Sequence, residues 1–369
     1  VDCPEALAEI ETYGLGNART LAEYERFCGI DFKKQEVSEM ALKGDVQQPL
    51  SGNLLERNDP RPKYSSSQPL NLPATWDRSA TMNSFIVSGH VKSGTTFLQM
   101  LLDSHPNASC PSEQHFQTMR RLIKNVTSEY NNTLNWLDGV TGSQGTRFRR
   151  GTFNDNMLRS FILEMMRQGA TNETTHAGLN DNIWLGNVDY YSKLLPASKF
   201  VFIMRDPRDV GESLWHHNMR VAEDFRAKNP PISQTIMETC RQWPKYVKEM
   251  RALVMTEPRR ARFVRYEDLT GPNRKMYLIE VLEFLGLEYD DEIIAGMWAA
   301  TDFQKLQEKE ARRGHEHAGF FRSGRCGEWR DLLSDAHKSE VKDHAGAAMK
   351  LFSYLDDERV DTSAEYALI

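Results

Sequence analysis

The stretch that most narrows the fold runs from Ser84 to Ser104. Ser84-Phe85-Ile86-Val87-Ser88 is a short apolar run that reads as a buried strand. Thr95 to Ser104 follows as a helix, with Phe97, Leu98, Leu101 and Leu102 on one face. Between them lies Gly89-His90-Val91-Lys92-Ser93-Gly94-Thr95-Thr96. A buried strand that leads straight into a helix calls for a parallel neighbour, the arrangement from which α/β sheets are made. The junction also suits an anion. The first four N–H groups of a helix have no partner inside it, and the helix dipole is positive there. The glycines let the backbone approach closely, Lys92 adds a point charge, and Thr95 and Thr96 add hydroxyl donors. The competing reading is a helix merely capped by Ser and Thr.

The remaining pattern agrees with a parallel sheet. Lys199 to Met204 (KFVFIM) is a second buried strand, and Arg262-Phe263-Val264 is a third. Helices are expected from near Asp209, over 233–256 with a kink at Pro244, over 274–285 ending at Gly286, and from Ala336 to Leu355. Residues 1–47 read as short amphipathic helices, with Ala6, Leu7 and Ile10, then Leu21, Tyr24 and Phe27, at helical spacing. Residues 48–75 hold five prolines among Ser, Asn and Asp and read as a linker. The expected division is therefore a helical N-terminal extension with a Pro-rich linker over 1–80 and an α/β domain over 81–369.

Composition removes several classes. The net charge of −6 argues against a nucleic-acid partner, so an anionic ligand has to be held by local cations. No apolar run reaches the roughly 18–20 residues of a membrane span. The five cysteines form no CxxC pair, and no metal-ligand cluster stands out. Cys3 and Cys28 are close enough to form a disulfide, or stand as free thiols. The chain starts at Val1 and carries Asn-X-Ser/Thr sequons at Asn107, Asn125, Asn131 and Asn172. Both features favour a secretory or Golgi lumen after removal of an upstream signal or anchor, with the cytoplasm as the alternative.

Two further segments supply cations. Arg205-Asp206-Pro207-Arg208-Asp209-Val210-Gly211-Glu212-Ser213 follows the second strand directly. An Arg at a strand end and a Ser two turns into the next helix can converge on one anion. Phe321-Arg322-Ser323-Gly324-Arg325-Cys326-Gly327-Glu328-Trp329 lies near the C-terminus. A nucleotide triphosphatase loop would place Gly directly before Lys, but here Lys92 comes first, and no strand ends in an Asp suited to magnesium.

Lys92-Ser93-Gly94-Thr95-Thr96 after a strand resembles the 5′-phosphosulfate loop of sulfotransferases that use 3′-phosphoadenosine 5′-phosphosulfate (PAPS). The 205–213 segment resembles their 3′-phosphate motif, and 322–329 resembles the segment that closes over the 3′-phosphate. The resemblance runs roughly from Asn83 to Tyr354 and implies a P-loop-like three-layer fold, a parallel sheet of about five strands flanked by helices. It implies that Lys92, Ser93, Gly94, Thr95 and Thr96 hold the 5′-phosphate and that Arg205, Ser213, Arg322, Ser323 and Gly324 hold the 3′-phosphate. Phe97 and Tyr266 would lie against the adenine. PAPS is the implied co-substrate, 3′-phosphoadenosine 5′-phosphate (PAP) the product, and no metal is expected. Lys92 would stabilise the leaving phosphate.

Three residues compete to take the acceptor's proton. Glu113 follows the turn Leu102-Asp103-Ser104-His105-Pro106, as in the branch that contains tyrosylprotein and many bacterial sulfotransferases. His176 lies in Thr174-Thr175-His176, loosely like the Lys-Thr-His segment of cytosolic members, and His115 is the third. Glu-base relatives tend to carry Lys where Asn180 stands here. The acceptor is open: a small alcohol or amine is placed ahead of a glycan or protein tyrosine. Arg147, Arg149 and Arg150 would meet an anionic acceptor, and Trp136, Trp184 and Trp215 would line an apolar one; a solvated patch and core packing explain them as well. A homodimer is left open. A nucleotide kinase or triphosphatase and a non-catalytic nucleotide binder are the alternatives of other classes.

Overall fold

The structure, a computed structural model, describes residues 82–142, 150–182, 187–312, 322 and 324–355. The expected helices of the N-terminal extension, the Cys3–Cys28 pair, Arg147, Arg149, Trp184 and Ser323 lie outside the described residues.

Five parallel strands form one sheet: β1 (Asn83–Gly89), β2 (Ala108–Ser109), β3 (His176–Asn180), β4 (Lys199–Met204) and β5 (Ala261–Arg265), in the order β2-β3-β1-β4-β5. The central strands alternate between two cores. Ile86 of β1 and Phe200, Phe202 and Met204 of β4 enter one cluster, with Trp243, Met250, Val341 and Phe352. Phe85 and Val87 of β1 and Val201 and Ile203 of β4 enter the other, with Leu98, Leu101, Leu278 and Leu282. Both faces are covered, and this is why the central strands read as unbroken apolar runs rather than as an alternation.

The connections are helical. α1 (Thr95–Asp103) packs into the second cluster, whereas α2 (Phe116–Thr141) and α3 (Arg150–Gln168) pack into the first. After β3 come α4 (Val188–Leu194), α5 (Pro207–Val221), α6 (Glu223–Lys228) and α7 (Ile232–Thr256). Then follow α8 (Tyr266–Thr270), α9 (Arg274–Leu285), α10 (Asp291–Ala300), α11 (Phe303–Arg312), a 3₁₀ turn over Glu328–Asp331 and α12 (Asp335–Lys350). α7 carries Pro244 inside it, and Gly286 ends α9 in the left-handed conformation at φ 87°. α5 starts at Pro207, two residues before the expected Asp209, because Asp206 caps it by accepting from the Arg208 N–H. α12 ends at Lys350, short of the expected Leu355, and Phe352 and Tyr354 then fold back into the core.

No described helix is long and apolar enough to cross a membrane. The sequons are not uniformly accessible. Asn131 is buried on α2, and the Asn107 amide donates to the Glu173 carbonyl.

Candidate active site

The strand order places the first two motifs side by side. β1 and β4 are parallel neighbours, with Gly89 opposite Ile203, so the segments that leave their carboxyl ends adjoin although Lys92 and Arg205 are 113 residues apart. This is where an open α/β sheet binds ligands, at the point where the strand order reverses direction.

The loop itself is held in an unusual backbone. Lys92 has φ 67° and Gly94 has φ 98°. The left-handed region costs a non-glycine residue about 1–2 kcal/mol, so the fold must hold Lys92 there against its preference. Gly94 is the N-cap of α1 and supplies no side-chain cap. A Cβ on it would fall 2.4 Å from Cδ2 of Tyr266, so only glycine lets the loop lie under that ring.

Arg205 joins the motifs. Its Nη1 donates to the Lys92 carbonyl at 3.4 Å, its Nη2 donates to the Arg325 carbonyl at 2.9 Å, and its guanidinium lies 4.7 Å from the centre of the Tyr266 ring. The Tyr266 hydroxyl donates to the Gly324 carbonyl at 3.3 Å. Beneath Arg205, ligand-type atoms of Asp209, Glu267 and Cys326 lie within 4.8 Å of one another, and Asp209 accepts from the Gly327 N–H at 2.8 Å. Burial opposes the Arg205 charge, but Tyr266, Asp209, Cys326 and Glu267 outweigh it. Burial, then Asp206, pushes Asp209 up to about 7. The Ser93 hydroxyl and the Arg205 Nε are buried without hydrogen-bond partners. A buried orphan donor is costly unless a ligand claims it.

The outer residues of the predicted donor site differ in their readiness. Ser213 is half-buried two turns along α5. Arg322 is exposed and its Nη2 is occupied by Glu212 and Glu328, both at 2.5 Å. Gly324 sits at φ 63°. Phe97 packs edge-on to Tyr266 at 5.8 Å and stacks with Trp298 at 6.3 Å. Arg208 is buried over the Trp329 ring at 3.5 Å, and it bonds Asp206 and the Tyr354 carbonyl, each at 2.6 Å. The Tyr354 hydroxyl donates to Glu267, which in turn accepts from the Asp206 N–H.

Glu113 reaches the same edge by sheet pairing. It bridges Asn180 in parallel, the Gln114 N–H donates to the Asn180 carbonyl, and the Asn180 N–H donates to the Ser112 carbonyl. The Phe116 N–H donates to the Asp181 carboxylate, which fixes the turn through His115 at φ 50°. Burial raises the Glu113 carboxyl above its usual range, against the pull of His115 (3.9 Å away), an Asn182 hydrogen bond and Lys92. Burial, then Arg220 and Arg205, lowers the Lys92 ammonium to about 8, and Glu113 opposes that fall. Asn180 is fully buried, and neither atom of its amide has a partner.

His176 does not join this group. It opens β3 opposite Asn83, at the amino end of the strand that carries Asn180 at its carboxyl end. Its Nε2 contacts the Asn83 amide and the Leu285 carbonyl, both at 3.2 Å, and its Nδ1 contacts the Thr175 hydroxyl at 2.9 Å. It braces the far edge of the sheet, which corrects its expected place among the catalytic residues. Trp136 is 66% exposed on α2, and the Trp215 indole donates to the Pro230 carbonyl. Two residues that sequence reading passed over do reach the site. His217 and Arg220 of α5 both act electrostatically on Lys92 or are acted on by it. Their spacing of four and seven residues from Ser213 was the available signal.

The fold and site define a parallel α/β protein whose glycine-bearing loop between β1 and α1 lies beside a buried arginine and a half-buried carboxylate. A model of the sulfotransferase domain matches residues 83–353. The chain belongs to the sulfotransferase family. It is 27% identical over 157 residues to cytosolic sulfotransferase 12 of Arabidopsis thaliana, covering 39% of this chain and 47% of that protein. It is 22% identical over 232 residues to protein-tyrosine sulfotransferase 1 of Danio rerio, covering 62% and 59%. The chain spans about half the length of the curated relatives it matches. Among solved structures it is similar to mouse sulfotransferase SULT7A1 complexed with PAP, with TM-score 0.47 and 13% identity, covering 80% of this chain and 94% of that one.

Proposed function

We propose that this chain transfers the sulfuryl group of PAPS to a hydroxyl or amine of a small acceptor, in line and without a covalent intermediate. The observation that carries this reading is the Arg205 guanidinium, which ties the carbonyl of Lys92 to that of Arg325 and gathers all three motifs at one edge. When bound, PAPS supplies a sulfuryl group attached to a phosphate that can leave. The first N–H groups of α1, Ser93, Thr95 and Thr96 hold the 5′ end, and Arg205 and Ser213 hold the 3′-phosphate. Lys92 offsets charge on the leaving oxygen. Glu113 accepts the proton that the acceptor loses, a task suited to a carboxylate whose proton affinity burial has raised. The unpartnered Asn180 amide donates to a sulfuryl oxygen without adding charge. Positioning and charge stabilisation carry most of the rate.

A second reading, with protein tyrosine as acceptor, is supported by the similarity to protein-tyrosine sulfotransferases. The donor is tested by calorimetry of the full chain with PAP, ADP and ATP in the absence of magnesium. Binding that requires the 3′-phosphate and is lost in Arg205→Ala and Lys92→Ala supports the proposal. Equal affinity for ADP or ATP sinks it in favour of a kinase or triphosphatase. PAP binding with no turnover across alcohols, amines and tyrosine peptides leaves a nucleotide binder.

A further inference from the structure

The face of α5 that carries Ser213 continues through His217 to Arg220, four and seven residues on. At 1.5 Å per residue, Arg220 stands roughly 10 Å beyond Ser213 along the helix. Ser213 is assigned above to the 3′-phosphate, and the face continues from it to the charges that act on Lys92. The electrostatic neighbours agree: Arg220 acts on Lys92 more strongly than Arg205 does, and Lys92 and Arg220 both act on His217.

The arginine is held in place. Its Nη2 donates to His217 Nδ1 at 3.3 Å. An arginine can only donate, so Nδ1 is the acceptor and the His217 proton sits on Nε2. Burial lowers His217 to about 4, which keeps the ring neutral and preserves that tautomer at neutral pH. The end of α5 is clamped as well, because Arg226 Nη1 donates to the Arg220 carbonyl at 2.6 Å.

Two cations brought together in a half-buried site repel each other, and an anion bound between them adds attractions that outweigh that repulsion. The 5′-phosphate already has the loop amides. The anionic group that lies beyond the phosphate, on the Glu113 side, is the sulfuryl group. We propose that Arg220, aimed by His217, is a second catalytic cation that contacts the sulfuryl oxygens of the donor. The assignment rests on the PAPS reading above. It changes no bond in that reaction: the sulfur–oxygen bond to the phosphate breaks, the bond from sulfur to the acceptor forms, the proton goes to Glu113, and Arg220 exchanges none.

The test needs no acceptor. PAPS and PAP differ by the sulfuryl group, so each is titrated calorimetrically into the full wild-type chain and into Arg220→Gln and Arg220→Lys. Removal of a charge-assisted bond at a half-exposed arginine is expected to weaken PAPS about tenfold while PAP changes by less than about twofold. Arg220→Lys should recover part of the PAPS affinity, and His217→Phe should show a smaller loss with the same selectivity. If Arg220→Gln weakens PAPS and PAP alike, or neither, Arg220 does not touch the sulfuryl group and the assignment is overturned. If the wild-type chain binds neither nucleotide, the donor reading itself falls first, an outcome distinct from the one that removes Arg220 alone.

Discussion

Gly94→Ala tests the geometry of the phosphate loop at one atom. Gly94 sits at φ 98°, and an added Cβ would meet Tyr266 Cδ2 at 2.4 Å, Tyr266 Cε2 at 3.0 Å and Ile203 Cδ1 at 3.3 Å. The backbone term alone is about 1–2 kcal/mol for a non-glycine residue in the left-handed region. Displacing a packed ring adds roughly 1–3 kcal/mol, as other overpacked sites do. Tyr266 is buried, with Arg205 over its face, and cannot swing away freely. The sum is about 2–5 kcal/mol, or a fall in melting temperature on the order of 10 °C for a domain of this size. The two terms separate in a double-mutant cycle with Tyr266→Ala, followed by thermal melts. In the Tyr266→Ala background, Gly94→Ala should keep only its backbone cost, so the coupling should be about 1–3 kcal/mol. Equal costs in both backgrounds, or a cost below about 0.5 kcal/mol in the wild type, would refute the argument that the ring dictates glycine here.

Two further expectations concern the chemistry. Glu113→Gln should lower turnover by about 10²–10⁴-fold with PAP affinity unchanged, the size typical of a lost general base. His176→Ala, at the amino end of β3, should lower the melting temperature yet leave turnover within about a factor of two, as expected for a site remote from the reaction. The comparison fails if the histidine variant is the inactive one. The pH profile of kcat/KM should be bell-shaped. Glu113 acts only when ionised, so the rate rises with pH through its elevated pKa, and Lys92 acts only when protonated, so the rate falls above about 8. Lys92→Arg should lower the rate and abolish the alkaline limb, because guanidinium does not titrate there.

What the sequence made legible follows the physics of each segment. β1 and β4 are covered on both faces and read as apolar runs, whereas α5, expected from near Asp209, starts at Pro207 because its cap is set by the Asp206 side chain. β3 was not legible as a strand. It reads His-Ala-Gly-Leu-Asn, and its Gly178 is required because the Phe85 ring would lie 2.2 Å from any Cβ there. A strand that gives up its side chain to a neighbour's ring shows no β-propensity of its own. Without β3 its two polar ends carry no meaning in the sequence, so His176 reads as a base although the strand places it at the amino end. Asn180, at the right edge, was noticed only through resemblance. His217 and Arg220 were overlooked for a related reason: their role depends on where α5 ends relative to Lys92, a tertiary fact with no sequence period beyond the helical one.

The bond from Arg208 to the Tyr354 carbonyl has a consequence for how the protein is made. It spans 146 residues and joins the second motif to the last described turn of the chain. At 5–20 residues per second, roughly 7–30 s pass between synthesis of Arg208 and synthesis of Tyr354. Throughout that interval Arg208 lacks the Tyr354 carbonyl and Glu267 lacks the Tyr354 hydroxyl, and for most of it the Trp329 ring is missing as well. The bonds that tie the second motif and Glu267 to the C-terminal turn can therefore form only after residue 354 is made. A stop codon a few residues before 354 would spare all five strands and remove the Tyr354 partners of Arg208 and Glu267.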